Sequence, residues 1–189
     1  MEKELVPVTF PINSYTVPRA SMSALGRLVI AYVGSFGGWY LTEEILDFYE
    51  AAKKYFPSTF ALVLTKNLEI KDRLFERGFT EEDMFVSRVP PDEVFFWLQG
   101  ADIAISFIKP CYSKQSSSPT KIAEYLACGV PVISNKGIGD VDELLTKNNV
   151  GVLLDDFSSE SYVRAIDLIC DNFFHAPVPT NPKSRFGSG

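Results

Sequence analysis

Between residues 28 and 174 the chain alternates repeatedly between a short apolar run and an amphipathic segment, and this alternation limits the folds open to it. The apolar runs predict strands at 28–33, 60–65, 84–88, 102–107, 131–134 and 150–154. The segments that follow them predict helices at 42–56, 69–77, 91–99, 119–128, 140–147 and 159–173. Continuous apolar runs are typical of strands covered on both faces. The pattern therefore predicts an α/β fold with a single doubly wound, six-stranded, mainly parallel Rossmann-like sheet.

Two segments lie outside this alternation and lack a sustained period. Residues 1–27 carry Pro7, Pro11 and Pro18 among serines and threonines, which predicts an irregular leader or hinge. Residues 175–189 contain several prolines and end in Gly-Ser-Gly, which predicts a mobile tail. We therefore expect one domain, at 28–174, between two extensions.

Charge and histidine content argue against several classes of protein. The chain has 18 Lys and Arg against 24 Asp and Glu, and a net charge of -6 does not favour a nucleic-acid partner. His175 is the only histidine, so a Ser-His-Asp triad or a multi-histidine metal site cannot form within the chain. We expect neither a metal nor a cofactor. The longest apolar run, 28–33, is too short to cross a membrane, and we expect a soluble cytoplasmic protein.

A glycine-rich segment, GSFGGWY at 34–40, follows the first predicted strand. In doubly wound sheets ligands bind outside the carboxyl ends of the strands, so this loop is a candidate site. Its glycines would let backbone amides approach a phosphate, or would form a tight strand-to-helix turn, and both interpretations stay open. The spacing is neither G-x-G-x-x-G nor a Walker A sequence, which argues against a dinucleotide.

The segment SSSPTKIAEYLACGVPV at 116–132 is the most informative in the chain. Ser118 is a favourable N-cap and Pro119 a favourable first helical residue, so a helix is predicted to begin here. Gly129 predicts its end. The helix start would face the same edge of the sheet as the glycine-rich loop.

Lys121 falls in the first turn of this predicted helix, where a cation opposes the positive end of the helix dipole. A bound diphosphate would remove the conflict, with Ser118, Thr120 and Lys121 as its partners. The alternative is a surface ion pair between Lys121 and Glu124, three residues apart.

Glu124 stands in an otherwise apolar stretch, 122–127, which predicts a helix buried over most of its circumference. A buried carboxylate needs partners. One turn from the proposed diphosphate site, Glu124 could accept hydrogen bonds from the two hydroxyls of a ribose.

The loop 135–139 precedes Asp140 and Glu143, whose spacing is that of a capping box. We therefore expect a structural role for these two acids. Gly137 and Gly139 are candidates to line the cleft.

In wording and order, three segments resemble one known family: YVGSFGGWY, SSPTKIAEYLACGVPVI and GIGDVDELL. Together they are similar to the C-terminal, nucleotide-sugar-binding domain of a retaining glycosyltransferase of family 4, also called group 1, with a GT-B fold. The resemblance spans about 28–174. It implies a hexosyl-transfer enzyme of polysaccharide biosynthesis.

The resemblance also implies roles for individual residues. The donor diphosphate would be held by Gly37, Gly38, Ser118, Thr120 and Lys121. The ribose would be bound by Glu124, and the base would be bordered by Val89 and Pro90. The substrate would be a nucleotide diphosphate sugar of the UDP or GDP type.

The chain departs from the family pattern at two places. The common E-x7-E motif would have an acid at position 116, where this chain has Ser116, so the usual contact to the transferred sugar is not implied. A basic pair often follows the first strand in the family, and this loop contains none. Lys66 and Lys109 are candidates to supply positive charge instead. The catalytic residues are left unassigned.

We therefore expect the donor-binding domain of a glycosyltransferase, inactive alone and completed by an acceptor-binding N-terminal domain, covalent or separate. Any peripheral contact with a membrane would be made through that other domain. The alternative is a degenerate Rossmann-like interaction module without catalysis. Phe36, Trp39 and Tyr40 are expected to be exposed on the side that faces the other half.

Overall fold

The computed structural model describes residues 27–110 and 120–174 of the chain. The predicted tail lies outside these described residues, and so does the predicted leader except for Arg27. Cys111 and His175 also lie outside them.

Strands and helices alternate along the described residues as the sequence predicts. The strands are β1 (Leu28–Val33), β2 (Thr59–Leu64), β3 (Met84–Ser87), β4 (Ile103–Ser106), β5 (Val132–Asn135) and β6 (Gly151–Leu154). The helices are α1 (Thr42–Tyr55), α2 (Ile70–Glu76), α3 (Val94–Leu98), α4 (Thr120–Ala127), α5 (Val141–Asn148) and α6 (Ser159–Phe173). Only the start of α3 differs from the predicted bounds by more than one residue.

The late start of α3 has a local cause. The Glu93 N–H donates to the Pro90 carbonyl at 3.0 Å, and the Phe96 N–H donates to the Glu93 carbonyl at 3.0 Å. Bonds over three residues make a tighter turn than an α-helix. Regular helix therefore begins at Val94 and not at the predicted position 91.

The sheet has the strand order β3-β2-β1-β4-β5-β6, and every neighbouring pair is parallel. The predicted doubly wound Rossmann-like sheet is thus confirmed. The order reverses between β1 and β4, and this switch point is where such sheets bind ligands.

Each face of the sheet is covered by three helices. Strand residues alternate between the faces, so that Ile30 and Tyr32 pack with α1, α2 and α6, whereas Ala31 and Val33 pack with α3, α4 and α5. Two apolar layers therefore enclose the sheet, and its carboxyl edge is left to the loops.

The end of α4 and the start of α5 test two predictions, that Gly129 ends a helix and that Asp140 begins a capping box. The Val130 N–H donates to the Tyr125 carbonyl at 2.9 Å, and the Gly129 N–H donates to the Leu126 carbonyl at 2.8 Å, which confirms Gly129 as the end of α4. The capping box at Asp140 is wrong, because Asp140 has φ -87° and ψ 4° and its side chain makes no cap bond. An extended backbone is needed to turn a cap side chain toward the helix.

Candidate functional site

At the switch point the carboxyl halves of β1 and β4 are not paired, and we call the region outside these strand ends the crevice. The two strands pair only through Ile30 with Ile103 and Ala31 with Ala104. Beyond that point the loops that follow them join again, because the Leu41 N–H donates to the Phe107 carbonyl at 3.1 Å. These bonds fix the glycine-rich loop over the end of β4.

Two further backbone contacts hold the same loops together. Tyr40 and Ile108 form an antiparallel bridge, and the Lys109 N–H donates to the Trp39 carbonyl at 2.8 Å. The loop 34–41 is therefore held by backbone contacts to the loop that follows β4.

Within this loop, Gly37 and Gly38 adopt left-handed backbone conformations, with φ of 83° and 62°. Side chains rarely tolerate that region, which is why glycine stands at both positions. The Gly37 N–H donates to Thr42 Oγ1 at 2.8 Å, whereas the Gly38 N–H has no hydrogen-bond partner among the described residues. The loop is a tight turn, and the Gly38 amide is not used by any other described residue.

Helix α4 begins on the other side of the crevice, and its first turn carries Thr120 and Lys121. Lys121 Nζ lies 2.9 Å from Glu124 Oε2, with 35% of the lysine side chain and 44% of the glutamate side chain exposed. The surface ion pair expected as the alternative is thus present in the structure.

The expected burial of Glu124 is wrong. Only Ile122 and Tyr125 of α4 are buried, because the helix contacts the sheet on one side and faces the crevice and solvent with the other. Glu124 therefore has no need of buried partners, and its carboxylate is accessible to a ligand.

Tyr125 and Asn135 are polar residues at this edge of the sheet to which sequence reasoning assigned no role. The Tyr125 hydroxyl oxygen accepts the Val33 N–H at 2.8 Å. Asn135 Oδ1 accepts the Ile108 N–H at 2.9 Å, and its Nδ2 donates to the Ile108 carbonyl at 2.9 Å. Tyr125 is a polar group inside an otherwise apolar predicted helix, which is the signal that could have found it. Asn135 falls in the predicted loop 135–139 and carries no such signal.

Burial changes the acidity of two tyrosines at this edge. Desolvation raises the pKa of Tyr125 well above its ordinary value, although its hydrogen bond with Val33 opposes the shift. Desolvation likewise raises the pKa of Tyr32, whose hydroxyl donates to the Ser35 carbonyl at 2.6 Å. Both hydroxyls therefore stay neutral and serve as structural hydrogen-bonding groups.

The remaining candidate residues lie around the same edge. Val89 is half-buried and Pro90 exposed after β3, at the margin of the sheet two strands from β1. Lys66 and Lys109 are exposed after β2 and β4. The structure thus places these residues on the carboxyl side, with Val89 and Pro90 farthest along the sheet from the switch point.

The aromatic residues of the glycine-rich loop behave differently from one another. Trp39 is 53% exposed, as expected. Phe36 and Tyr40 are half-buried, because both pack against Tyr32, with ring centroids 4.7 Å and 6.3 Å away. The expected exposure is therefore confirmed for Trp39 and wrong for Phe36 and Tyr40.

Some predictions concern residues that are not described. Ser116 and Ser118 lie in the segment 111–119, outside the described residues. Across 27–110 and 120–174, no group of three His, Cys, Asp or Glu side chains is arranged to hold a metal ion. None of the helices in these ranges combines the length and hydropathy needed to cross a membrane.

A family model described as glycosyl transferases group 1 matches residues 19–176 of the chain. A search of curated proteins finds no matching sequence. The family match spans all the strands and helices described above.

Solved structures with the same fold include two isolated domains. The catalytic domain of cholesterol-alpha-glucosyltransferase from Helicobacter pylori superposes with a TM-score of 0.59 at 14% identity, over 77% of this chain and 87% of that one. The C-terminal domain of a glycosyl transferase group 1 family protein, LpcC, from Francisella tularensis gives 0.57 at 17% identity, over 82% of both chains. At these identities the likeness concerns the fold.

A longer structure is also similar. WaaG, a glycosyltransferase involved in lipopolysaccharide biosynthesis, gives a TM-score of 0.58 at 16% identity over 86% of this chain. The chain spans 46% of the length of WaaG. The parallel sheet and its helices thus match those of GT-B glycosyltransferases.

Proposed function

Because the chain belongs to the family of group 1 glycosyl transferases, we propose that it binds a nucleotide diphosphate sugar and acts as the donor-binding domain of a retaining glycosyltransferase. The crevice at the switch point carries this proposal. It lies between a glycine-rich loop with an amide available at Gly38 and the start of α4 with Lys121. Backbone amides and a lysine near a helix start are the groups that bind diphosphates.

The diphosphate is assigned to Gly37, Gly38, Ser118, Thr120 and Lys121. Gly37 contributes its left-handed conformation, since its amide donates to Thr42, and Gly38 contributes its N–H. Lys121 supplies the positive charge. Its exposed pair with Glu124 is worth about 0–1 kcal/mol at most, so a diphosphate can displace the carboxylate from the ammonium group.

Glu124 is assigned to the ribose. Once Lys121 turns to the diphosphate, both carboxylate oxygens are available to the vicinal hydroxyls of the sugar. Val89 and Pro90 are assigned to the border of the base, at the outer margin of the same edge. The ligand is of the UDP or GDP type.

In the proposed reaction, a hexosyl group moves from the diphosphate to an acceptor hydroxyl with retention at the anomeric carbon. The bond between that carbon and the diphosphate oxygen breaks, the bond to the acceptor oxygen forms, and the acceptor proton passes to the departing diphosphate. Amides and Lys121 stabilise the negative charge that develops on the departing diphosphate. Their contribution is electrostatic.

The acceptor is assigned to an N-terminal domain, on the same polypeptide or separate. Three exposed apolar side chains lie on loops at the carboxyl edge of the sheet: Trp39, Leu68 and Phe157. Exposed apolar groups of this kind favour contact with a partner surface. We propose that the chain by itself transfers no sugar, because the acceptor must be held beside the anomeric carbon.

Two observations favour the alternative, a Rossmann-like interaction module without catalysis. The Gly37 amide is already used by Thr42, and Lys121 is already paired with Glu124. On this interpretation the crevice is closed by its own groups and the apolar edge binds another protein.

Calorimetric titration of the 189-residue chain with UDP, GDP, ADP and pyrophosphate separates the two functions. Donor binding predicts saturable binding of at least one nucleoside diphosphate, accompanied by a rise in melting temperature. Absence of heat and of a thermal shift with all four ligands at millimolar concentration contradicts donor binding and favours the interaction module.

A further inference from the structure

We propose that Tyr125 is a positioning residue whose buried hydroxyl fixes the glycine-rich loop relative to the start of α4. The structural part stands on the contacts of Tyr125 with β1. Its consequence for the ligand rests on the proposed function, because these two elements are the ones assigned to the donor diphosphate.

The Tyr125 hydroxyl makes the hydrogen bonds to β1 that a neighbouring strand would otherwise make. The Gly34 N–H donates to the Leu64 carbonyl of β2. The backbone N–H and C=O groups of successive strand residues point toward opposite neighbouring strands, so those of Val33 point toward β4. Strand β4 has already diverged there, and its last paired residue with β1 is Ala104. Tyr125 Oη instead accepts the Val33 N–H at 2.8 Å and donates to the Val33 carbonyl at 3.4 Å.

Near the amino end of β1, on the same side of the strand, another side chain accepts a hydrogen bond from the backbone. The Val29 N–H donates to Asp102 Oδ2 at 2.8 Å. Asp102 immediately precedes β4 and so links β1 to its own neighbouring strand. Tyr125 belongs to α4, 92 residues from Val33, and so links β1 to the helix that carries Lys121.

The position of this bond makes it relevant to both binding elements. Val33 is the last residue of β1, and the glycine-rich loop begins at the next residue. Tyr125 lies four residues after Lys121 in the same helix, about 6 Å along the axis. A helix is stiff over one turn, so fixing Tyr125 against Val33 fixes the first turn of α4 relative to the loop.

The chain offers a matched control at Tyr49. Tyr49 is also fully buried, and its hydroxyl donates to the Ile30 carbonyl of β1 at 3.2 Å. It comes from α1 on the opposite face of the sheet, and its bond is distant from the end of the strand. Tyr49→Phe therefore removes one oxygen atom and one hydrogen bond to β1, and Tyr125→Phe removes one oxygen atom and both hydrogen bonds with Val33.

The test compares both variants with the wild-type chain in two measurements. Calorimetry gives the dissociation constants of UDP, GDP and pyrophosphate, and hydrogen exchange reports the protection of amides 34–41. We expect Tyr125→Phe to weaken the binding of pyrophosphate and of the nucleoside diphosphate alike, by about tenfold. The reason is that the buried Val33 N–H loses its acceptor, and the glycine-rich loop is then no longer fixed relative to α4. Exchange in 34–41 should rise. Tyr49→Phe should change each dissociation constant less than twofold and leave that exchange unchanged.

The outcomes distinguish this proposal from the proposed function. If the wild-type chain binds none of the three ligands, donor binding is overturned, and hydrogen exchange alone decides the structural role of Tyr125. Unchanged exchange in 34–41 for Tyr125→Phe overturns that role, as does an equal rise for Tyr49→Phe. Increased exchange with unaltered dissociation constants overturns the link to the ligand.

Discussion

The amino and carboxyl edges of the sheet, where the strands begin and end, each carry an ion pair of 2.9 Å, and the two pairs differ in their exposure to solvent. At the amino edge, Lys53 Nζ lies 2.9 Å from Asp83 Oδ2, with 17% and 20% of the side chains exposed. At the carboxyl edge, Lys121 and Glu124 are also 2.9 Å apart but are 35% and 44% exposed. The first pair joins α1 to the residue before β3, whereas the second lies within one helix.

Further contacts hold both members of the first pair, Lys53 and Asp83, in place. Lys53 also lies over the Phe79 ring at 5.4 Å, and Asp83 accepts a hydrogen bond from the Thr80 hydroxyl at 2.9 Å. The pair at α4 has no such support from a second element among the described residues. A ligand can replace it at little cost to the fold, which is the difference between a stabilising contact and a binding group.

The largest expected effect is at the amino edge, for Gly151→Ala. A Cβ at Gly151 would lie 2.2 Å from the Val132 carbonyl oxygen, on the neighbouring strand β5. Val132 is held in β5 between β4 and β6, so its backbone cannot yield easily, and we expect a loss of about 3 kcal/mol in the free energy of unfolding. Thermal unfolding should show a melting temperature lower by roughly 9 °C.

The same variant sharpens the comparison between the edges. Below its melting temperature, Gly151→Ala should bind the nucleoside diphosphate with a dissociation constant within a factor of about two of the wild type. A dissociation constant raised well beyond that factor would show that the two edges are not independent.

Lys121→Gln should have the next largest effect, and it should appear in binding. We expect the nucleoside diphosphate to bind about tenfold more weakly, because a charge-assisted hydrogen bond to phosphate is lost. The free energy of unfolding should change by less than about 0.5 kcal/mol. Calorimetry and thermal unfolding measure the two quantities.

Lys147→Gln is the matched control for this substitution. Lys147 pairs with Glu143 on α5, with 70% and 64% of the side chains exposed, so the variant removes an exposed helical pair of the same kind. Its affinity for the nucleoside diphosphate should be that of the wild type. An equal loss in both variants would reduce the role of Lys121 to a general effect of charge.

Asp83→Asn should lower the free energy of unfolding by about 1 kcal/mol at neutral pH without altering affinity. Burial alone would raise the pKa of Asp83, but the hydrogen bonds from Lys53 and Thr80 and the Lys53 charge outweigh it and lower the pKa. A lowered pKa means stabilisation that is present above the ordinary value of 3.8 and is lost as the pH falls through the folded-state pKa.

Thermal unfolding over a pH series tests this directly. The gap in melting temperature between wild type and Asp83→Asn should be full at neutral pH and should close below pH 3.8. Glu81→Gln is the control, because Glu81 forms an exposed pair with Lys71 at 2.8 Å and should contribute less. A gap that persists at low pH would mean that the carboxylate charge is not the stabilising feature.

The smallest expected effect is that of Glu124→Gln, which separates ribose from phosphate. The amide keeps one acceptor, so the nucleoside diphosphate should bind only about threefold more weakly. Pyrophosphate has no ribose and should bind as well as before, or more tightly because Lys121 loses its partner. Equal weakening of both ligands in calorimetry would argue against a contact with the ribose.

The amino-acid sequence was sufficient to predict a parallel sheet, the order of strands and helices along the chain, and the position of the glycine-rich loop. Apolar residues fall on both faces of each strand, as in β1, where Ile30 and Ala31 belong to different layers. Such patterns are local, since burial of a strand or a helix face depends on spacing within the element. Gly129 at the end of α4 was determined in the same way.

The polar groups that meet at the crevice could not be predicted from the sequence, because they come together through tertiary contacts. Asn135 bonds to Ile108 over 27 residues and Tyr125 to Val33 over 92, and neither separation has a local pattern. The exposure of Glu124 was also a tertiary outcome, because only the side of its helix that carries Ile122 and Tyr125 is buried in the structure. Hydrogen-bond partners and burial at such a margin depend on where β1 and β4 separate, and that is set by the packing of the whole sheet.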